Sequence, residues 1–433
     1  MSEQKAHDNL KTRVVILGTG SAGISVALGL KRSAAKMRGV EVTLVDQKNY
    51  HPILPLSYQV VTGSVAPSHI SVPIRKMLGR PGKAGAIRFR QGHIQAVDME
   101  KKTVVTDAGD IGWDYLVVAL GSTTNFFGMS DVESIALPFR SVKDGIEIHN
   151  RIIENYEAAM AVESEQRQRE LLTFVVIGGG PTGVELSAQI REFTDKVLAK
   201  WYPAVAPLTR VVLVEAQNAV LATMKPRTQK LAAAKMQARG VELKLGIRIT
   251  KAWPGGVQTS DGDTIPAGTV IWTAGIKPVP EVAAMPFEKA KDGRILVNEH
   301  LQVPGLERVY ALGDCTFLEQ RNGSGPYPPS FQVAFRQGRV CARNITKAIK
   351  GKPQGRYGSR FLGQVYYVDR NVAVAELFGL VFDGYVAGVI RRALFVAMLV
   401  SYGGFLSGFR TKLSAAVDWT FSYFYNRNTA RIE

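Results

Sequence analysis

Six glycines and two carboxylates set the chemistry open to this chain. Gly18, Gly20 and Gly23 stand in the run Gly18-Thr-Gly20-Ser21-Ala22-Gly23, and Gly178, Gly180 and Gly183 in Gly178-Gly-Gly180-Pro-Thr182-Gly183. Asp46 and Glu215 each close the next apolar run after their own glycine cluster. At such a spacing the first glycine permits a tight turn, the second lets the backbone approach a pyrophosphate, and the third allows close helix–strand packing. The helix that follows points its partial positive end at the phosphates, and the acid can bind ribose hydroxyls. One such cluster is an ordinary strand-to-helix turn. Two of them, each with its acid, imply two nucleotide sites.

The elements needed to position these residues are legible around them. Arg13–Leu17 and Phe174–Ile177 are short apolar runs that predict buried parallel strands, each running into its glycine turn. A helix is expected from Ala22 to about Met37, and second strands over Val42–Asp46 and Val211–Glu215. Tyr115–Ser122 and Val270–Ile276 repeat the plan once more, as apolar strands entering small-residue turns at Ala119–Gly121 and Ala274–Gly275. A third block, Val309-Tyr-Ala-Leu-Gly313-Asp314-Cys315, is again strand, glycine and acid. Beyond it a Gly/Pro-rich loop reaches Ser330, an expected N-cap for a helix from Phe331 to about Ile349. That helix sets Phe331, Ala334, Phe335 and Gly338 on one face, a pattern plain core packing would also produce, with Gln332, Arg336 and Arg339 on the flank.

Composition narrows the field. With 433 residues there is room for two or three packed domains, and the two cysteines, Cys315 and Cys341, stand far apart. Two thiols cannot hold an iron–sulfur cluster or an all-cysteine zinc site, and they argue for a reducing compartment rather than a disulfide scaffold. The net charge of +17 should attract something anionic: nucleic acid, anionic lipid or a phosphorylated ligand. The basic residues are spread widely without an aromatic-interleaved stripe, which speaks against nucleic acid. Met1–Leu10 is charged and lacks an apolar run, so no signal peptide is expected there.

These motifs resemble the two-dinucleotide-domain flavoprotein disulfide reductase superfamily, and within it the type II NADH dehydrogenases, single-subunit NADH:quinone oxidoreductases. The specific matches are Asn49-Tyr50-His51, Tyr58-Gln59-Val60-Val-Thr62-Gly63, Pro73-Ile74-Arg75, Gly180-Pro-Thr-Gly-Val-Glu185 and Trp272-Thr-Ala-Gly-Ile-Lys-Pro278, with the tail Gly408-Phe409-Arg410, Trp419 and Arg427–Arg431. The resemblance implies an α/β fold of two Rossmann-like domains with a C-terminal membrane-associating helical region. FAD binding would fall to residues 1–135 and 286–355, NADH binding to 136–285, and membrane anchoring to 356–433. It implies FAD on Gly18, Gly20, Ser21, Ala22, Gly23, Asp46, Gln47, Tyr50, His51, Ala119, Gly121, Gly313, Asp314 and Gln332. NADH would lie on Gly178, Gly180, Thr182, Gly183, Glu185, Glu215, Ala274 and Gly275.

Glu185 would lie beside the nicotinamide, although any acid near a helix start gains from the dipole. His51 reads equally as a loop residue touching FAD or as a proton carrier. A cysteine pair early in the chain, which disulfide reductases carry, is missing, so the flavin itself must do the redox work. The helix from Phe331 would aim its amides at the flavin pyrimidine. The family's quinone signature, Ala-Gln-x-Ala-x-Gln, reads here Phe331-Gln332-Val333-Ala334-Phe335-Arg336-Gln337, with Gln337 standing one position late. Gln332, Arg336, Gln337 and Glu185 are therefore the candidates for catalysis. The implied activity passes two electrons from NADH through flavin to a quinone, feeding a respiratory chain without pumping protons. The alternatives are a related reductase with a soluble or protein acceptor, and a basic NADH-responsive flavoprotein resembling apoptosis-inducing factor.

The tail carries the expectation for localisation. Ala393–Phe409 is uncharged over 17 residues, flanked by Arg391, Arg392, Arg410 and Lys412, with aromatics at Trp419, Phe421, Tyr423, Phe424 and Tyr425. This predicts a segment lying in one leaflet's interface at the cytoplasmic face of the cell membrane, against anionic lipid. A homodimer-interface helix and a true span are the competing readings.

Overall fold

The computed structural model describes residues 11–34, 39–79, 87–358, 363–369, 372–394, 414, 417–418, 420 and 427–432. Strand β1 (Thr12–Leu17) enters helix α1 (Ser21–Ala34), which returns to β2 (Val40–Asp46). Helix α2 (Ser57–Val61) follows, then β3 (Ile87–Gln91), β4 (Tyr115–Val118), β5 (Ser122–Thr124) and β6 (Leu137–Pro138). After helix α3 (Val142–Ala161) the plan starts again with β7 (Thr173–Ile177), α4 (Pro181–Phe193), β8 (Arg210–Glu215), β9 (Val241–Leu245) and β10 (Thr269–Trp272). Strands β11 (Ile276–Pro278) and β12 (Val309–Ala311) and helix α5 (Phe331–Ile349) complete this part.

Two parallel five-stranded sheets result, in the orders β12-β4-β1-β2-β3 and β6-β10-β7-β8-β9. Each carries a three-stranded antiparallel insert at the same place. The first is Ile94–Asp98, Thr103–Thr106 and Ile111–Gly112; the second is Ile249–Trp253, Gly256–Thr259 and Thr264–Pro266. The internal repeat read from the glycine clusters is thus a repeat of whole sheets. The central strands of both sheets are buried on both faces, which is why they read as unbroken apolar runs, while the edge strands β3 and β9 alternate. In β1, Val14 and Ile16 pack into one core cluster while Val15 and Leu17 pack into another. In β7, Phe174 and Val176 face one cluster, Val175 and Ile177 the other.

β5 pairs antiparallel with β11, linking the two units directly after their small-residue turns. Helix α5 spans Phe331–Ile349 with Ser330 as its N-cap, its hydroxyl accepting from Val333 N at 3.3 Å. Its small residues lie against α1: a Cβ on Gly338 would fall 2.6 Å from the Ala22 carbonyl oxygen, and one on Gly29 2.5 Å from the Ala342 Cβ. Ala334 and Gly338 therefore pack in the core, whereas Phe331 and Phe335 are half-buried and stack on each other at 5.7 Å.

A third sheet, Gly363–Asp369, Val372–Leu377 and Leu380–Asp383, lies against α4 and leads into a helix over 384–394. Of the uncharged run Ala393–Phe409, only Ala393 and Leu394 fall among the described residues; Arg410, Lys412, Trp419, Phe421 and Tyr423–Tyr425 lie outside them. Among the described residues no helix is long and apolar enough to cross a membrane. Arg427, named from sequence as part of the family-like tail, is turned inward. It makes a bidentate pair with Glu192 of α4 at 2.6 and 2.8 Å, the two side chains only 8% and 3% exposed.

Candidate functional site

The two glycine turns match in detail. Gly18 and Gly178 have φ of +98° and +108°, a region that favours glycine. Each donates its N–H to the end of the neighbouring strand, Val45 O and Val214 O, at 2.8 Å in both cases. A Cβ on Gly23 or Gly183 would fall 1.9 or 1.8 Å from the carbonyl oxygen of Gly18 or Gly178, so the third glycine is demanded by close approach. Gly20 and Gly180, by contrast, face open space where a Cβ would meet nothing. That is the cradle a pyrophosphate would fill. Neither α1 nor α4 has an acid in its first turn, which leaves both helix N-termini to an anionic ligand.

The acids are held alike as well. Asp46 accepts from Thr19 N at 2.6 Å and Thr19 Oγ1 at 2.8 Å on one oxygen, and from Lys48 N at 2.9 Å on the other. Glu215 accepts from Gly179 N and from Gln217 N in the equivalent places. A carboxylate has about four lone-pair sites, so each acid keeps acceptor capacity for ribose hydroxyls while locking its turn.

The segment from Tyr50 to Val61 joins the two turns. His51 is buried at 1% exposure, its Nδ1 2.7 Å from Thr19 O, and burial lowers its pKa against that hydrogen bond. Seven residues on, Tyr58 of α2 packs against α4, close enough to Glu185 and Thr182 to influence the Glu185 carboxyl. Glu185 accepts from Tyr367 N at 2.9 Å. Burial raises the Glu185 pKa, opposed by the Arg391 cation, the Tyr367 amide and the Tyr58 hydroxyl. Arg391 in turn lies over the Tyr367 ring at 4.5 Å. The sequence singled out Glu185 and, through the Tyr58–Gly63 motif, Tyr58; Tyr367 and Arg391 converge on Glu185 from distant segments, and no local pattern gives those two a place there.

The late block reaches the first turn. Asp314 accepts from Ser122 at 2.9 Å and pairs with Arg140 at 3.2 Å, a positioning cation that sequence reasoning missed. Gly313 N donates to Gln337 Oε1 at 2.7 Å, so Gln337, 2% exposed, is tied to the glycine–aspartate turn. Gln332 donates to Gly363 O at 3.2 Å, while its Oε1 is buried without a partner among the described residues. His51 Nε2 is orphaned in the same way. Buried polar atoms left unpaired are costly, and these fit the edge of a polar cofactor set between the first turn, Asp314 and Glu185. Arg336 is half-buried on the flank of α5. Ser21, Ala22, Ala119 and Gly121 line up around Gly18, with Gln47 beside Asp46 and Tyr50 beside His51; Ala274 and Gly275 stand against Gly178. Cys315 is buried, and burial pushes its thiol up to about 11, the state of a packing residue rather than a reactive one.

Comparison with known proteins agrees with this geometry. The family model described as pyridine nucleotide-disulphide oxidoreductase matches residues 12–338. The chain is similar to the type II NADH:quinone oxidoreductase NdhA of Mycobacterium tuberculosis, at 30% identity over 95% of this chain and 87% of that protein. The chain belongs to the type II NADH:quinone oxidoreductases of the pyridine nucleotide-disulphide oxidoreductase family. Its likeness to Ndh of the same organism is 29% over 98% of this chain and 91% of the relative. In fold, it superposes on NDH2 of Plasmodium falciparum, solved with NADH, with a TM-score of 0.87 at 17% identity, over 97% of this chain and 100% of the other. The sulfide:quinone oxidoreductase of Aquifex aeolicus shares the fold at a TM-score of 0.72 and 17% identity, over 98% and 96% of the two chains.

Proposed function

We propose that this chain is an FAD enzyme that oxidises NADH and passes two electrons to a quinone at a membrane surface. The observation that supports the reading is the pair of matching glycine turns, with His51 held 2.7 Å from Thr19 O at the first and Tyr58 of the same segment packed against α4, which follows the second. When bound, FAD supplies the chemistry of accepting a hydride and releasing its electrons onward. The protein's part is to bind, orient and manage protons. Gly18–Gly23, Asp46, Gln47, Tyr50, His51, Ala119, Gly121, Gly313, Asp314 and Gln332 would hold the FAD, with Arg140 fixing Asp314. Gly178–Gly183, Glu215, Ala274 and Gly275 would hold NADH. Glu185, its pKa raised by burial and its carboxylate held by the Tyr367 amide, would exchange a proton at its carboxyl oxygen as quinone is reduced, with Gln332 and Arg336 toward the acceptor.

On this reading residues 1–135 and 286–355 form the FAD unit, 136–285 the NADH unit and 356–433 the membrane-facing region. An apolar stripe supports the last of these. Tyr385, Val386, Val389 and Leu394 are all exposed on the helix over 384–394, beside Phe378 and Leu380 at a hairpin tip. We place the protein on the cytoplasmic face of an anionic membrane, with the same region open to homodimer formation. The test is direct. Purified protein should be yellow, bleach with NADH in the absence of air and regain its colour on adding a quinone. Folded protein that binds no flavin overturns the reading.

A further inference from the structure

Phe127 is a large apolar side chain at 62% exposure, and its backbone lies in the left-handed region at φ +53°. A bulky residue avoids that region unless its surroundings impose it, and such outliers gather at ligand-binding positions. Here the imposing contacts are visible. Asn125 N donates to Gly275 O at 3.1 Å, and Trp272 Nε1 donates to Asn125 O at 2.9 Å. Phe127 N donates to Asn125 Oδ1 at 2.9 Å, and Met129 N to Phe126 O at 3.0 Å. Phe126 is buried against Trp272, with ring centroids 5.5 Å apart. Residues 125, 126 and 129 are thus fastened down, and residue 127 is held out between them.

The ring is held out over one particular place. A Cβ on Gly275 would fall 2.7 Å from Phe127 Cζ, so one edge of the ring rests on the Gly275 backbone. Ala274, the preceding residue, stands against the second glycine turn: a Cβ on Gly178 would fall 2.7 Å from Ala274 Cα. The sheet order gives the direction. β7 carries the turn, β8 on one side ends in Glu215, and β10 on the other side runs out to Gly275. A dinucleotide with its pyrophosphate on the turn and its adenosine ribose on Glu215 must run its nicotinamide half past the end of β10. Phe127 waits there.

We propose that Phe127 is a binding residue for the nicotinamide half of NADH, its free ring face covering the sugar and base as they pass Gly275. The inference rests on the proposed NADH oxidation and adds a residue to that site. A planar apolar ring on a pinned turn covers a ligand without first losing much freedom of its own, which favours affinity.

The experiment uses the full-length, flavin-loaded chain with Phe127→Ala and Phe127→Tyr, compared in steady-state assays and by ADP inhibition. Phe127→Ala should raise the KM for NADH about tenfold, the size expected for losing one aromatic contact. Its kcat, its KM for quinone, its flavin content and its Tm should stay close to wild type, because the ring is exposed. The inhibition constant of ADP, which lacks the nicotinamide half, should not move. Phe127→Tyr should restore the KM to within about threefold. A Phe127→Ala enzyme whose NADH KM lies within twofold of wild type overturns the inference. So does an ADP inhibition constant that rises in step with it, since the residue would then act on the turn itself. A wild-type flavin that NADH does not bleach overturns instead the activity on which the inference rests.

Discussion

At Glu185 two opposing effects meet. Burial pushes the carboxyl up, while Arg391, the Tyr367 amide and the Tyr58 hydroxyl pull it down, and burial wins. The folded protein therefore keeps this proton at a pH where a free glutamate has lost it, and any step that uses the proton must slow as pH rises through the raised value. The same sign governs stability: the contribution is present below the ordinary carboxylate range and lost as pH rises through the folded-state pKa. In Glu185→Gln the amide cannot release a proton. Quinone-dependent kcat should fall by roughly 10²–10⁴ and its pH dependence flatten, while anaerobic bleaching by NADH survives; pH–rate profiles check this. Glu215 gives a second residue-scale prediction. On the proposed binding mode it would face the adenosine ribose, where its charge would repel a 2′-phosphate, so wild type should prefer NADH strongly over NADPH and Glu215→Gln should narrow the ratio of kcat/KM values. Glu215 was legible because the chemistry of a nucleotide turn fixes where it stands in sequence, and Glu185 and Tyr58 because they sit in motifs of the resembling family. Arg140, Tyr367 and Arg391 were not, since each takes its place only through tertiary folding.

Among the elements, the central strands of the two sheets were legible because both faces are buried and the glycine turns punctuate them, whereas the alternating edge strands β3 and β9 carried no such signal. The segment 427–432 had none either. The fold makes it a strap. Asn428 N donates to Gly63 O at 3.3 Å just past α2. Asn150 of α3 exchanges two hydrogen bonds with Ile432, at 2.7 and 2.8 Å, and His149 Nε2 lies 3.0 Å from Ala430 O. Arg427 grips Glu192 on α4. Helix α2 carries Tyr58 and α4 carries Glu185, so the strap ties together the elements whose side chains meet at the site. Removing one partner of a buried pair leaves the other charge uncompensated, and Arg427→Ala should destabilise by about 3–5 kcal/mol. Replacing both partners, Arg427→Met with Glu192→Leu, should recover most of that. Urea unfolding of the two variants distinguishes an ion pair that fixes geometry from one that merely sits there.

On the scale of the whole molecule, charge and apolar surface work together. On the proposed membrane contact, a net charge of +17 would draw the protein toward anionic lipid over a distance set by salt, whereas contact with the acyl region would depend on buried apolar area that salt does not screen. The exposed Tyr385, Val386 and Val389 are spaced to share one side of the helix over 384–394, and Leu394, Phe378 and Leu380 are exposed apolar residues of the same region. Arg391, on the opposite side of that helix, lies over Tyr367, so the apolar stripe and the Glu185 cluster occupy two sides of one short element. Deleting the whole tail would remove Arg391 and the strap together with the apolar surface, which makes point changes the cleaner test. Burying a valine side chain is worth about 1.5–3 kcal/mol, so Val386→Glu with Val389→Glu should weaken binding to vesicles by two orders of magnitude or more, on the order of the sum of both terms. Co-sedimentation with anionic and zwitterionic vesicles, at low and high salt, reads this out. The wild type should stay bound to anionic vesicles at high salt, and the double variant should come off. Its flavin should still bleach with NADH, because neither glycine turn contains a residue of the stripe. Turnover with a long-tailed quinone should fall while turnover with a short-chain quinone persists, since only the former must arrive through the bilayer. Equal loss with both quinones would mean that the helix supports the site and not the membrane contact.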